Sequence, residues 1–134
     1  MRFILASKSP GRLRTLQHAG IDPEVVVSGV DESKLHDFDP SSLALKLAEL
    51  KGASVARDLE GDAILVACDS ILEFDGRVRG KPGSAEEAAA QWRRIRGRQG
   101  VLHTGHFVWV SRSGWGQQSL RLASTTVRFA DLDE

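Results

Sequence analysis

Residues Ala63 to Ala67 form an uninterrupted apolar run fenced by acids, with Asp62 before it and Asp69 shortly after. A strand wetted on one face alternates polar and apolar residues, so a run that does not alternate needs cover on both faces. The run therefore predicts a central strand in a mostly parallel sheet, flanked by helices. Asp69 follows Ile64-Leu-Val-Ala-Cys68 directly and is expected at the carboxyl end of that strand, where open α/β sheets place their ligands. A carboxylate at the edge of an apolar core is costly unless a cation or hydrogen bonds compensate it, which makes Asp69 a candidate metal ligand or general base. A cap of the turn before Ser70 is the plainer alternative.

The flanking segments supply the cover. Arg2 to Ala6 reads as a short strand, and Ser9 as the N-cap of a helix with Pro10 in its first turn, Leu13, Leu16 and Ala19 at helical spacing, and Gly20 as the stop. Glu24 to Val27 reads as a second strand. A helix from about Ser42 to Leu59 carries Leu43, Leu47, Leu50 and Ser54 near one face, with Gly52 as a weak point. Asp75-Gly76 sits between two extended stretches and predicts a hairpin. Ser84-Ala-Glu-Glu87 is a capping box for a helix ending near Arg96, stopped by Gly97. Val101 to Val110 and Ser119 to Phe129 predict two long antiparallel strands joined around Gly114. The closing Asp131-Leu-Asp-Glu134 reads as the start of another element. Repeats and low-complexity tracts are absent, so the 134 residues are expected to form one α/β domain.

Charge narrows the classes of partner. Lysine and arginine number 18 against 18 acids, so no global field attracts nucleic acid or an anionic membrane, and any anion site must be local. The apolar stretch in MRFILASKSP is too short for a signal segment or a membrane span, which gives a cytoplasmic expectation. Cys68, the one cysteine, cannot form an internal disulfide and is read as a small buried residue at a strand end.

Several segments could carry chemistry. Ser7-Lys8-Ser9-Pro10-Gly11-Arg12 puts hydroxyls and cations on a loop that opens a helix, where free N–H groups and the helix dipole favour phosphate; a plain N-cap with a solvated arginine is the alternative. Gly80-Lys81-Pro82 fails the P-loop test because the glycine spacing is short and Pro82 replaces the hydroxyl residue, yet Lys81 can still meet a phosphate as a point charge. Asp31 and Glu32 offer the oxygen ligands that magnesium prefers. His103 and His106 point to opposite faces of a strand and are read as structural. The arginines from Arg93 to Arg98 are read as the solvated end of a helix, ahead of a nucleic-acid stripe.

Taken in order, these motifs resemble the Maf family of nucleoside triphosphate pyrophosphatases. Ile4-Leu-Ala-Ser7-Lys-Ser9-Pro10-Gly-Arg12 is similar to its S-x-S-P-R-R opening, and Gly29-Val-Asp-Glu32 to its acidic motif. Ala67-Cys-Asp69-Ser70, Gly80-Lys81-Pro82, Arg96-Gly97 and His103-Thr-Gly105 continue the match, with wording that looks actinobacterial. The resemblance implies a mixed, elongated, twisted sheet flanked by helices, like that of the inosine triphosphate pyrophosphatases, with the nucleotide in a cleft. It implies an acid-anhydride hydrolase that converts non-standard or selected nucleoside triphosphates to monophosphate and pyrophosphate. A divalent cation, magnesium or manganese, would be the cofactor, and the protein would be a cytoplasmic homodimer without nucleic-acid or membrane partners.

By motif position Ser7, Ser9, Arg12, Lys51 and Lys81 would hold phosphates. Glu32 and Asp69 would handle metal and water, with Asp69 the favoured base, and Ser70 would help choose the nucleobase. Two departures stand out: Gly11 replaces the first arginine of the signature pair, and the family's C-terminal third is expected to be missing. The competing function is a catalytically silent nucleotide-binding or regulatory module.

Overall fold

A computed structural model of the chain describes residues 1–32, 35, 39–79 and 83–132. The Gly80-Lys81-Pro82 motif, and with it the expectation for Lys81, lies outside the described residues. The elements in chain order are β1 (Arg2–Leu5), α1 (Pro10–His18), β2 (Glu24–Val25), α2 (Pro40–Ala56), β3 (Ala63–Phe74), β4 (Arg77–Arg79), α3 (Ala85–Ile95), β5 (Gln99–Arg112) and β6 (Trp115–Arg128).

The apolar run does form the central strand. Sheet order is β2-β1-β3-β5-β6, with β4 also paired to β3. The sheet is mixed, as the resemblance implies, and not mostly parallel. β1 runs parallel to β2 and β3, whereas β3 with β4, β3 with β5, and β5 with β6 are antiparallel.

A second correction concerns Asp69, which is not at the end of a strand. β3 continues to Phe74, because β5 pairs with it from Ala63 opposite Ser111 to Glu73 opposite Val101. That uninterrupted ladder satisfies the backbone on one edge and merges two predicted strands into one.

Helix α2 covers one face of this strand. Its buried face is Ala44, Leu47, Ala48, Gly52 and Val55, and the expected Leu43, Leu50 and Ser54 are only partly buried. Small side chains were chosen over leucines because the helix lies close to β5. A Cβ at Gly52 would strike the Phe107 ring, and one at Gly105 would strike the Ala44 carbonyl. Gly52 therefore trades helix propensity, about 1 kcal/mol, for close packing. Ile4, Ala6, Ala48, Val55, Ala63, Leu65, Ala67 and Phe107 form the core between this helix and the sheet.

Local punctuation behaves as its chemistry requires. Asp75 and Gly76 both take positive φ, 54° and 75°, as a two-residue hairpin of this hand demands. In the capping box the Ser84 hydroxyl accepts the Glu87 N–H at 3.1 Å, while the Glu87 carboxylate takes the N–H of Gly83 at 2.7 Å. Ala19, expected on the apolar face of α1, is exposed and caps its end, leaving Leu13 and Leu16 half-buried. Residues 129–132 extend past β6 without helix or strand and are tied to α3, whose Trp92 Nε1 donates to the Leu132 carbonyl at 2.9 Å.

Candidate active site

The site begins with a gap in the sheet. β1 pairs with β3 only as far as Leu5 opposite Val66, and β4 joins β3 only from Leu72 onward. β5 occupies the other edge throughout, so β1 and β4 share one edge and leave residues 67–71 between them uncovered. A cleft of about 610 Å³ opens there, and its lining includes Ser7, Arg12, Glu32, Lys51, Asp69 and Ser70. Successive strand residues point to opposite faces. Asp69 therefore projects with Ala67 and Leu65 toward α2, and Ser70 projects to the other side.

The first wall is built by the loop that opens α1. Ser9 caps the helix, its hydroxyl accepting the Arg12 N–H at 3.2 Å, with Pro10 in the first turn. Ser7 is buried, and its hydroxyl accepts the Ser9 N–H at 3.2 Å and Arg12 Nη1 at 3.1 Å. The Val66 carbonyl takes the Ala6 N–H at 2.9 Å. The Cys68 carbonyl, two residues on and so on the same edge, has no strand beside it and takes Arg12 Nη1 at 3.2 Å. Arg12 Nη2 donates to Ser70 Oγ at 3.0 Å, and Ser70 Oγ lies 2.9 Å from Thr104 Oγ1. Every one of these acceptors is neutral. Among the described residues no carboxylate pairs with Arg12, so its charge stands uncompensated beside a helix N-terminus that also favours anions.

The second wall is its electrostatic opposite. Lys51, on α2, places Nζ 2.8 Å from Asp69 Oδ2 and 2.6 Å from Glu32 Oε1. Side-chain exposure is 22% for Lys51 and 15% for Asp69, so this pair is largely shielded from water, while Glu32 at 52% lies at the rim. Burial pushes the Lys51 ammonium toward neutrality, but its bonds to Asp69 and Glu32 outweigh that and hold it above the ordinary lysine value. Here is the compensation that Asp69 requires. Burial raises the Cys68 thiol above its usual value, and Asp69 adds to that while Arg12 opposes it, so the cysteine is kept protonated.

Of the predicted site residues, Ser7, Ser9, Arg12, Glu32, Lys51, Asp69 and Ser70 all line the one cleft. Asp31 does not line it, so Glu32 alone of the adjacent acids faces inward. His103 is buried and committed, Nδ1 to Ser124 Oγ at 2.8 Å and Nε2 to Glu73 Oε1 at 3.2 Å, which agrees with a structural role. Among the described residues no three His, Cys, Asp or Glu side chains cluster as a metal cage. In the arginine stripe, Arg98 pairs with Asp75 at 2.8 Å and stacks 4.5 Å from the Phe74 ring, and Arg96 pairs with Asp131 at 3.3 Å. Sequence reasoning passed over Thr104, whose link to Ser70 exists only through the register of β3 against β5.

An open-edged α/β sheet with an arginine held by neutral acceptors on one wall and a carboxylate-clasped lysine on the other defines a protein with a charge-divided cleft. The chain belongs to the family of Maf-like proteins, whose model matches residues 2–134. It is 50% identical over 131 residues to a nucleoside triphosphate pyrophosphatase of Streptomyces coelicolor, covering 97% of this chain and 63% of that protein. It is 48% identical over 138 residues to one of Cutibacterium acnes, covering 98% of this chain and 65% of that protein. The chain thus spans less than two thirds of the length of these two curated relatives. In fold it is similar to the Ham1 protein of Staphylococcus aureus, with TM-score 0.57, 20% identity, and coverage of 98% of this chain and 73% of that one. No helix among the described residues is long and apolar enough to cross a membrane.

Proposed function

We propose that this chain is the catalytic part of a nucleoside triphosphate pyrophosphatase, working as one Maf-like domain. The observation that carries the reading is the convergence of Ser7, Arg12, Glu32, Lys51, Asp69 and Ser70 on one cleft, although they come from well-separated stretches of sequence. A triphosphate would lie with its charge along the α1 loop, held by Ser7, Ser9 and Arg12, with Lys51 and Lys81 meeting it as point charges. Asp69 would accept the proton of a water whose oxygen attacks the α phosphorus. The bond from that phosphorus to the bridging oxygen then breaks, and pyrophosphate leaves with the bond's electron pair. Ser70, beside Arg12 in the cleft lining, would contribute to the choice of nucleobase.

A divalent cation, magnesium or manganese, fits the donor set. Glu32 and Asp69 already close around a single positive centre, the Lys51 ammonium, and both present the hard oxygen atoms that such ions prefer. Two carboxylates suit an ion that keeps several waters and shares phosphate oxygens with its substrate. When bound, it would neutralise phosphate charge. Glu32 and Asp69 would hold it, and Lys51 would meet the phosphates. A cytoplasmic homodimer acting on small-molecule substrate, without nucleic acid or membrane, completes the proposal.

The test is pyrophosphate release from a panel of nucleoside triphosphates, with and without magnesium. Magnesium-dependent release is the expected result. Binding of triphosphate without release would favour the silent module, a reading supported by the way Lys51 engages both carboxylates.

A further inference from the structure

We propose that Thr104 is a positioning residue for triphosphate binding: it holds the Ser70 hydroxyl, and Ser70 in turn fixes the guanidinium of Arg12. This rests on the phosphate-binding role given to Arg12 above. Ser70 and Thr104 are directly opposite each other in the ladder of β3 and β5, so their side chains share a face and meet at 2.9 Å between hydroxyl oxygens. Ser70 Oγ also accepts from Arg12 Nη2 at 3.0 Å. The lining of the cleft includes Ser70 and omits Thr104, which stands behind it on the neighbouring strand. Thr104 therefore reaches the ligand only through its neighbour.

The donor inventory shows why that support matters. Arginine has five N–H donors and no acceptor. In Arg12 the two of Nη1 go to Ser7 Oγ and the Cys68 carbonyl, and one of Nη2 goes to Ser70 Oγ. Nε–H and the second Nη2 proton have no acceptor among the described residues, and they are what the side chain can offer to phosphate oxygens. Their direction is set by the three bonds that pin the planar group. The anchors at Ser7 and Cys68 both hold Nη1, so Ser70 is the anchor on the Nη2 side. The Ser70 oxygen can occupy any of the staggered χ1 positions, only one of which meets Arg12. Thr104 favours that one through the 2.9 Å contact, whichever of the two hydroxyls donates. Threonine suits the task because it is stiff at χ1 in a strand.

The test measures binding of inorganic tripolyphosphate by calorimetry in the unaltered chain and in Arg12→Ala, Ser70→Ala, Thr104→Val, Thr104→Ser and the Ser70→Ala/Thr104→Val double variant, with thermal melts as the check on folding. Valine keeps the shape of threonine and removes its hydroxyl. Thr104→Val should weaken binding roughly threefold to tenfold, the size of one hydrogen bond. Thr104→Ser should restore most of the affinity. The double variant should bind no worse than Ser70→Ala alone, since Thr104 acts only through Ser70. In turnover the loss should fall on KM and leave kcat nearly unchanged. If Thr104→Val melts far below the unaltered chain, Thr104→Ala takes its place with the same expected pattern. Losses that multiply in the double variant, or a serine variant as impaired as valine, would overturn the proposal. Unchanged binding in Arg12→Ala, or no binding by the unaltered chain, would overturn the phosphate site itself and this inference with it. A loss in Arg12→Ala without one in Thr104→Val overturns this inference alone.

Discussion

The two walls of the cleft hold their cations in opposite states. On the α1 side Arg12 meets, among the described residues, only hydroxyls and a backbone carbonyl, so its charge is held in place without a carboxylate. On the α2 side Lys51 is already paired with Asp69 and Glu32, so its charge is spent within the protein. One wall presents a cation bonded to neutral groups and the other a cation paired with carboxylates. The alternation of β3 produces the division, sending Asp69 to one face and Ser70 to the other.

The largest break in this comparison is Asp69→Asn. If Asp69 takes the proton from water, turnover should fall about 100-fold to 10,000-fold, read as pyrophosphate release. A shift in the magnesium concentration needed for residual activity would mark Asp69 as chiefly a metal ligand. Loss of the acidic limb of the pH profile at fixed magnesium dependence would mark it as chiefly the base. A carboxylate at the edge of an apolar core is costly unless compensated, and the bond to Lys51 supplies that compensation. Asp69→Asn should cost about 1 to 3 kcal/mol of stability, because it leaves a half-buried ammonium with one carboxylate fewer.

Arg12→Ala strikes the other wall and should act on affinity. Losing a charge-assisted contact costs on the order of 1.5 to 3 kcal/mol, so triphosphate binding by calorimetry should weaken roughly tenfold or more, with nucleoside monophosphate affected less. Equal losses for both ligands would mean that Arg12 does not read the outer phosphates. A smaller effect is expected from Gly52→Ala, which should lower stability in a thermal melt by about 1 to 3 kcal/mol through collision with Phe107, less the gain in helix propensity. Since Gly52 neighbours Lys51, the same change should loosen the Lys51 contact to Asp69 and leave Arg12 unaffected.

The smallest effect is a pH dependence. The folded state holds Lys51 above the ordinary lysine value, so its contribution to stability is full below that value, about pH 10.4, and is lost as pH rises through the raised one. The melting difference between the unaltered chain and Lys51→Met should therefore be constant near neutrality and shrink in the strongly alkaline range. A difference that widened there would contradict the ion pair.

What could be read from sequence was local. Ser9 with Pro10, Asp75 with Gly76, and Ser84 with Glu87 each declare a start or a turn through their own chemistry, and each does so in the structure. The motifs single out Ser7, Glu32 and Asp69, and the fold brings these together with Lys51 in one cleft. What escaped depends on distant partners. The run of β3 through Asp69 needs β5 beside it, and the close approach of α2 to Phe107 and Gly105 favours small residues beside Leu47 over the expected Leu43 and Leu50. The Arg12–Ser70–Thr104 chain exists only once the register is set.

The most direct measurement is the identity of the phosphorus products. Phosphorus NMR of a magnesium reaction with a nucleoside triphosphate should show nucleoside monophosphate and pyrophosphate appearing together, and neither when Asp69 is Asn. Nucleoside diphosphate with orthophosphate, or undiminished pyrophosphate from the Asp69→Asn variant, would contradict attack at the α phosphorus by a water that Asp69 activates.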